Sequence, residues 1–256
     1  MSRLPAPFHT VASSKMDYLT LVEHDVHPPI AFKSKAHLDA WVKSYDLICE
    51  PLGRRNAVKD VVLIHGKITP PFLDRGLFYG QIWVSINYRQ YRNAIRFHVR
   101  NTEGNDGNIG IYDADHAVGR KRLQKIWPDA WVNLMLADSG INRSIGTMME
   151  KIPLRILENQ TEIHLNTESI LKLLFKKTTG LSRGKISEYF SEAANSFIQE
   201  IDTSSNESAI YSFLMRENAN NILYEIAQEN SLPIEIEFPT KALIIASDTS
   251  PSAARK

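Results

Sequence analysis

The sequence predicts an α+β fold, and three observations predict it. Short apolar runs of strand length occupy the first hundred residues and the middle of the chain. Helix-like spacing of apolar residues fills 167–177, 184–201 and 207–229. No internal repeat and no long linker divides the two kinds of segment. The chain has 256 residues, 43% hydrophobic and 23% charged, enough for one large domain or two modest ones. That composition excludes a wholly disordered chain, a collagen and a coiled coil. Apolar runs such as 61–64 and 242–246 are too short to cross a bilayer. No basic stretch leads into an apolar core near the N-terminus, so no secretory leader is expected. The single cysteine, Cys49, suits a reducing compartment, and a cytoplasmic protein is expected. Thirty basic against 29 acidic residues leave a formal charge of +1, so any polyanion-binding surface must be local.

Residues 1–16 read as a loose lead-in, followed by a short strand over Met16–Val22 that the His-Pro-Pro run at 27–29 closes. Ser34 is placed to cap a helix running through Leu38, Trp41, Val42, Tyr45 and Ile48, which Pro51-Leu52-Gly53 ends. Asp60–Ile64 reads as a buried strand and 77–87 as another. Arg89, Arg92, Arg96 and Arg100 recur at helical spacing, but Ile95, Phe97 and Val99 alternate as in a strand, so both readings stay open. Residues 101–108 form a turn-rich loop. Beyond the three C-terminal helices, Pro233–Phe238 and 241–246 suggest a hairpin, and the tail from Asp248 should be disordered.

The informative stretch is Gly107–Lys151, in the order strand, loop, strand, helix. The first strand ends in Asp115-His116, and a basic loop carries Arg120, Lys121, Arg122 and Lys125. The second strand is Trp131–Leu136, and the helix opens near Asn142-Arg143-Ser144-Ile145-Gly146. If the strands pair and the helix packs across them, Asp115 and Asn142 offer two hard oxygen donors of the kind Mg²⁺ prefers. His116 lies beside them as an imidazole able to take a proton from water. The same residues have a plainer reading, in which Asp115 and His116 end a strand and Asn142 caps a helix.

At these residues the chain resembles the HNH (ββα-metal) endonuclease family: Asp-His closing one strand, Asn133 in the second, and Asn-Arg-x-x-Gly opening the helix. The resemblance covers about residues 107–151. It implies a ββα-metal nuclease core over 107–155, between a mixed N-terminal region, 1–106, and a mainly helical C-terminal region, 156–256. It further implies Asp115 and Asn142 as ligands of Mg²⁺ or Mn²⁺, His116 as general base, and Asn133 as the residue that ties the loop and orients the imidazole. Gly119 stands where a proline often follows the histidine, Ile145 where a lysine often precedes the glycine, and Asn142 where many members carry histidine. The cysteine pairs of many members are absent.

The function so implied is metal-dependent hydrolysis of DNA phosphodiester bonds, with RNA left open, in a setting such as prokaryotic restriction or anti-phage defence. Arg96, Arg100, Arg120, Lys121, Arg122, Lys125 and Arg143 would contact phosphates. The flanks would recognise the target, or dock a protein partner or a second copy; no membrane partner is expected. The alternative is a non-catalytic subunit that binds nucleic acid or a partner through a degenerate ββα element. Asp113 reads as a solvated carboxylate on the face of Asp115, Trp131 as core, and His65 as a satisfied core histidine. Cys49 reads as a helical residue without a catalytic base. Glu23, His24 and His27 read as part of an exposed loop rather than a site.

Overall fold

Val61-Val62-Leu63-Ile64 is apolar at every position, the pattern of a strand covered on both faces, and it forms the middle of one antiparallel sheet. The computed structural model describes residues 21, 22, 24, 26–53, 59–70, 76–103, 109–175, 179–204 and 209–229, with backbone alone for 102, 103, 200–204 and 209–215. Along the chain run β1 (Pro29–Phe32), α1 (Lys35–Ser44), β2 (Ile48–Pro51), β3 (Val61–Ile68), β4 (Leu77–Ser85) and α2 (Tyr91–Glu103). They are followed by β5 (Tyr112–His116), α3 (Arg120–Ile126), β6 (Trp131–Asp138), α4 (Ser139–Met149) and β7 (Glu162–His164). The helices α5 (Thr167–Leu174), α6 (Ile186–Ser204) and α7 (Ala209–Glu229) complete the order. The chain is thus a mixed α+β protein. Among the described residues no helix is long and apolar enough to cross a membrane.

The sheet order is β2-β3-β4-β6-β1-β7, and β5 also pairs with β6. Residues 131–134 of β6 face β4 along one edge, in the register Leu134 to Ile82 and Trp131 to Ser85. Its other edge takes β1 at Trp131 and Val132, and then β5 from Leu134 to Asp138. The strands of 1–106, 107–155 and 156–256 are therefore joined in one sheet, and the ββα segment is a part of it.

Alternation divides the core. Val62, Ile64, Tyr79, Trp83 and Trp131 face α1, where Leu38, Trp41 and Val42 close over them. Val61, Leu63, Ile82, Val84, Val132 and Leu134 face the larger cluster, which also holds buried residues of α2, α4, α5, α6 and α7. Trp131 is core, as the sequence suggests. In α7, Ile222, Leu223 and Ile226 are buried, whereas Ile210, Phe213 and Leu214 lie outside the described side chains.

Several local expectations change. Helix α1 stops at Ser44 because Asp46 takes a left-handed φ of 52°, and Ile48 begins β2 instead. Cys49 accordingly lies on a strand. The arginine-rich segment is helical. The supposed basic loop after His116 is α3: Arg-Lys-Arg-Leu-Gln-Lys-Ile consists of good helix formers, and Leu123 anchors it in the core. The lead-in, most of the 16–22 strand, residues 104–108, the 233–246 hairpin and the tail lie outside the described residues.

His27 is not exposed. Its Nε2 hydrogen-bonds the Leu165 carbonyl at 3.1 Å, and its ring meets His164 edge-on at 5.0 Å. Burial first, and then His164, push it down to about 4 from 6.5, against the opposing effect of the Leu165 carbonyl. Below pH 6.5 the unfolded chain therefore takes up a proton that the folded chain refuses until about pH 4. Stability from this residue is whole above pH 6.5 and lost progressively as pH falls toward 4. Urea midpoints measured across that window should fall less steeply for His27→Gln than for the wild type.

Candidate active site

Asp115 and His116 close β5 because Ala117 is held by the neighbouring strand, its N–H donating to the Asn133 carbonyl at 2.9 Å. Asn142 comes from α4, which Asp138 starts: its carboxylate accepts from Gly140 N at 2.8 Å and Ile141 N at 3.1 Å. Asn142 lies four residues past this cap, which removes the capping explanation for it. Asp138→Ala should cost about 1 kcal/mol in urea unfolding, the usual value of such a cap.

Asp115, His116 and Asn142 line one cleft of about 360 Å³, together with Tyr91, Arg120, Lys121, Arg122 and Arg143. His116 is 3% exposed, and its ring meets Tyr91 of α2 at 4.5 Å. Burial, with Arg120 and Lys172 against Asp115, pushes it down to about 4, so the imidazole is neutral at pH 7. Its Nε2 is buried and has no hydrogen-bond partner among the described residues.

Two residues of the cleft were not foreseen. Lys172 of α5 places its ammonium 2.5 Å from Asp115 Oδ2, 2.9 Å from Glu168 Oε1 and 3.3 Å from the His116 carbonyl. Glu168 also accepts from Arg122, whose Nη1 donates to the Ile152 carbonyl at 2.8 Å. Charges alternate along this chain: Arg122, Glu168, Lys172, Asp115. Glu168 and Lys172 are almost wholly buried. The sequence signal for them was slight: two charged residues four apart on an otherwise apolar helix. A β-carbon on Gly119 would lie 3.2 Å from Arg122 Nε and 3.4 Å from Glu168 Oε1, so a larger residue there would press on the Arg122–Glu168 pair.

Asn133, Arg96, Arg100 and Lys125 lie outside the cleft. Asn133 is fully buried and opposes Trp83 on the α1 side of the sheet, whereas His116 opposes Leu134 on the other. Its Nδ2 donates to Gln81 Oε1 and the Ile82 carbonyl. Strand alternation thus keeps the Asn133 side chain off the imidazole, and only its backbone carbonyl serves the loop. Arg96 and Arg100 line a separate cavity of about 770 Å³ with Arg89, Tyr88 and Asp60, although Tyr91 on the same helix reaches the cleft. Lys125 is exposed on α3 and does not line the cleft. Arg143 and Lys121 are exposed, 3.8 Å from Asp113 and Glu150 respectively. Asp113 is largely covered rather than solvated. His65 is buried, its Nε2 3.6 Å from Glu50.

Among the described residues no group of three or more His, Cys, Asp and Glu is gathered to hold a metal. Three carboxylates line the cleft, but Glu168 is taken up by Arg122 and Lys172 and Glu150 lies near Lys121, which leaves Asp115, the Asn142 amide and the His116 imidazole as a donor set that fits a hard divalent cation with water completing its shell. Lys172 competes with such an ion for Asp115. No protein-family model matches the chain, and no curated protein or solved structure is significantly similar to it.

Proposed function

We propose that the chain is a metal-dependent endonuclease of the HNH kind that hydrolyses phosphodiester bonds in DNA. The observation that carries this reading is the shared cleft of Asp115, His116 and Asn142, residues from β5 and α4 that line it beside a neutral, unpartnered imidazole. His116 Nε2 takes the proton of the attacking water, and the edge contact with Tyr91 holds the ring in place. Arg120, Lys121 and Arg143 at the cleft attract and position the phosphate backbone. Asp115 and Asn142 would hold Mg²⁺ or Mn²⁺, which when bound neutralises charge on the phosphate and the leaving 3′-oxygen. By family analogy the products carry 5′-phosphate and 3′-hydroxyl ends, and restriction or anti-phage defence is the setting we favour. Supercoiled plasmid incubated with Mg²⁺ or Mn²⁺ should be nicked or linearised, and chelation should stop it.

A second reading has its own support. The Lys172 ammonium already satisfies Asp115, as in a site that binds nucleic acid or a partner without cutting. Calorimetric titration with Mn²⁺ separates the two. Uptake that Asp115→Ala abolishes favours the nuclease, and no uptake favours the non-catalytic subunit.

A further inference from the structure

A third cavity, of about 590 Å³, opens between α1 and the β1–β7 edge of the sheet, within the size range of small-ligand sites. Its aromatic wall is Phe32, Trp41 and Tyr45, with Trp41 5.7 Å from Phe32 and 5.4 Å from Tyr45, the rings tilted by 43° and 46°. Phe32 is 1% exposed and Trp41 9%, whereas Tyr45 is 47% exposed at the cavity edge. Tyr45 is thus the one ring of the three with substantial surface open to a ligand, which suits a flat ligand stacking on it better than a cation enclosed by several faces.

The polar groups narrow the ligand further. Among the described residues no lysine or arginine lines this cavity, although the cleft and the arginine cavity are rich in them. An anion is thus poorly matched here. The charged side chain among the lining residues is Glu162, which lies 3.2 Å from His164 Nε2. His37 is oriented by Ser34, whose Oγ is 2.8 Å from its Nδ1. His27, neutral at pH 7, adds no positive charge. A ligand that fits brings a planar ring and N–H donors for a carboxylate.

We infer that this cavity binds a single nucleobase bearing an exocyclic amino group, stacked on Tyr45 and hydrogen-bonded to Glu162. The base comes from a free nucleoside or from an unstacked position in a nucleic-acid strand. The cavity shares no lining residue with the Asp115–His116 cleft, so the inference stands apart from the nuclease reading.

The test is a calorimetric and tryptophan-fluorescence titration of the whole chain with adenosine, cytidine, guanosine and thymidine, with a single-stranded oligonucleotide and its duplex, and with choline. The amino-bearing nucleosides should bind more tightly than thymidine. Tyr45→Ala should weaken them by about tenfold or more, the usual effect of losing one stacking partner. Glu162→Gln should erase their advantage over thymidine, and His116→Ala should leave binding unchanged. A single strand that binds more tightly than nucleoside and duplex, and loses that advantage in Tyr45→Ala, assigns the base to a strand; strand binding that Tyr45→Ala leaves unchanged belongs to the basic cleft, and the base is then that of the free nucleoside. No binding by any nucleoside or strand at about 10 mM, a preference for choline, or affinities indifferent to both Tyr45→Ala and Glu162→Gln overturns the inference.

Discussion

His116→Ala is expected to lower plasmid cleavage by ~10²–10⁴-fold, the usual contribution of a general base. The size follows from its position. The imidazole is neutral because burial disfavours its charged form, so at pH 7 nearly every molecule carries a base ready to take a proton. Nε2 is buried and without a hydrogen-bond partner among the described residues, so it is the nitrogen left to take the proton once water enters the cleft. The side chain is buried against Tyr91, so alanine leaves a hole, and His116→Gln serves as the second variant because it keeps most of the volume. Circular dichroism and urea midpoints near the wild-type values show that the fold survives. Cleavage that persists undiminished in folded His116→Ala and His116→Gln would remove the imidazole from the mechanism.

Glu168→Ala is expected to destabilise the fold by about 3–5 kcal/mol, because it strips the shared carboxylate from two buried cations, Arg122 and Lys172. Lys172 retains Asp115, but Arg122 keeps only its bond to the Ile152 carbonyl among the interactions described above. The exposed Lys121–Glu150 pair is the internal contrast: Glu150→Ala should cost less than about 1 kcal/mol. Urea denaturation of the two variants side by side measures both. A cost for Glu168→Ala as small as that for Glu150→Ala would mean that water reaches the network in solution. Glu168→Gln, which keeps shape and one acceptor, should fall between them.

Local signals made much of this molecule legible. The strand at 61–64, the strand beginning at Trp131 and the three C-terminal helices follow from apolar spacing, and the strand ending at His116 was read from its place in the 107–151 stretch. β1, β2 and β7 did not follow from spacing, being four, four and three residues long: β1 starts at the proline run that reads as a stop, and β2 and β7 show no alternating pattern. α3 was hidden by its charge: five of its seven residues are polar or basic, and only Leu123 is held in the core. The cleft was half legible. Asp115, His116 and Asn142 lie within a stretch where strand order and helix start can be read. Lys172 and Glu168 reach it from a helix some fifty residues further on, and tertiary packing alone brings them there. Asn133 shows the reverse failure. A motif fixes its place in the chain, but only the pairing of β6 with β4 and β5 reveals which side of the sheet its amide faces.

The sharing of β6 among β4, β1 and β5 has a consequence for modularity. A piece cut out at 107–155 would expose the edge that β4 and β1 now satisfy, and bare strand edges recruit other chains. Isolated, such a piece is a seed for aggregation rather than a miniature of the whole. β5 supplies Asp115 and His116 to the cleft, and the strand it pairs with is held on its other sides by β4 and β1.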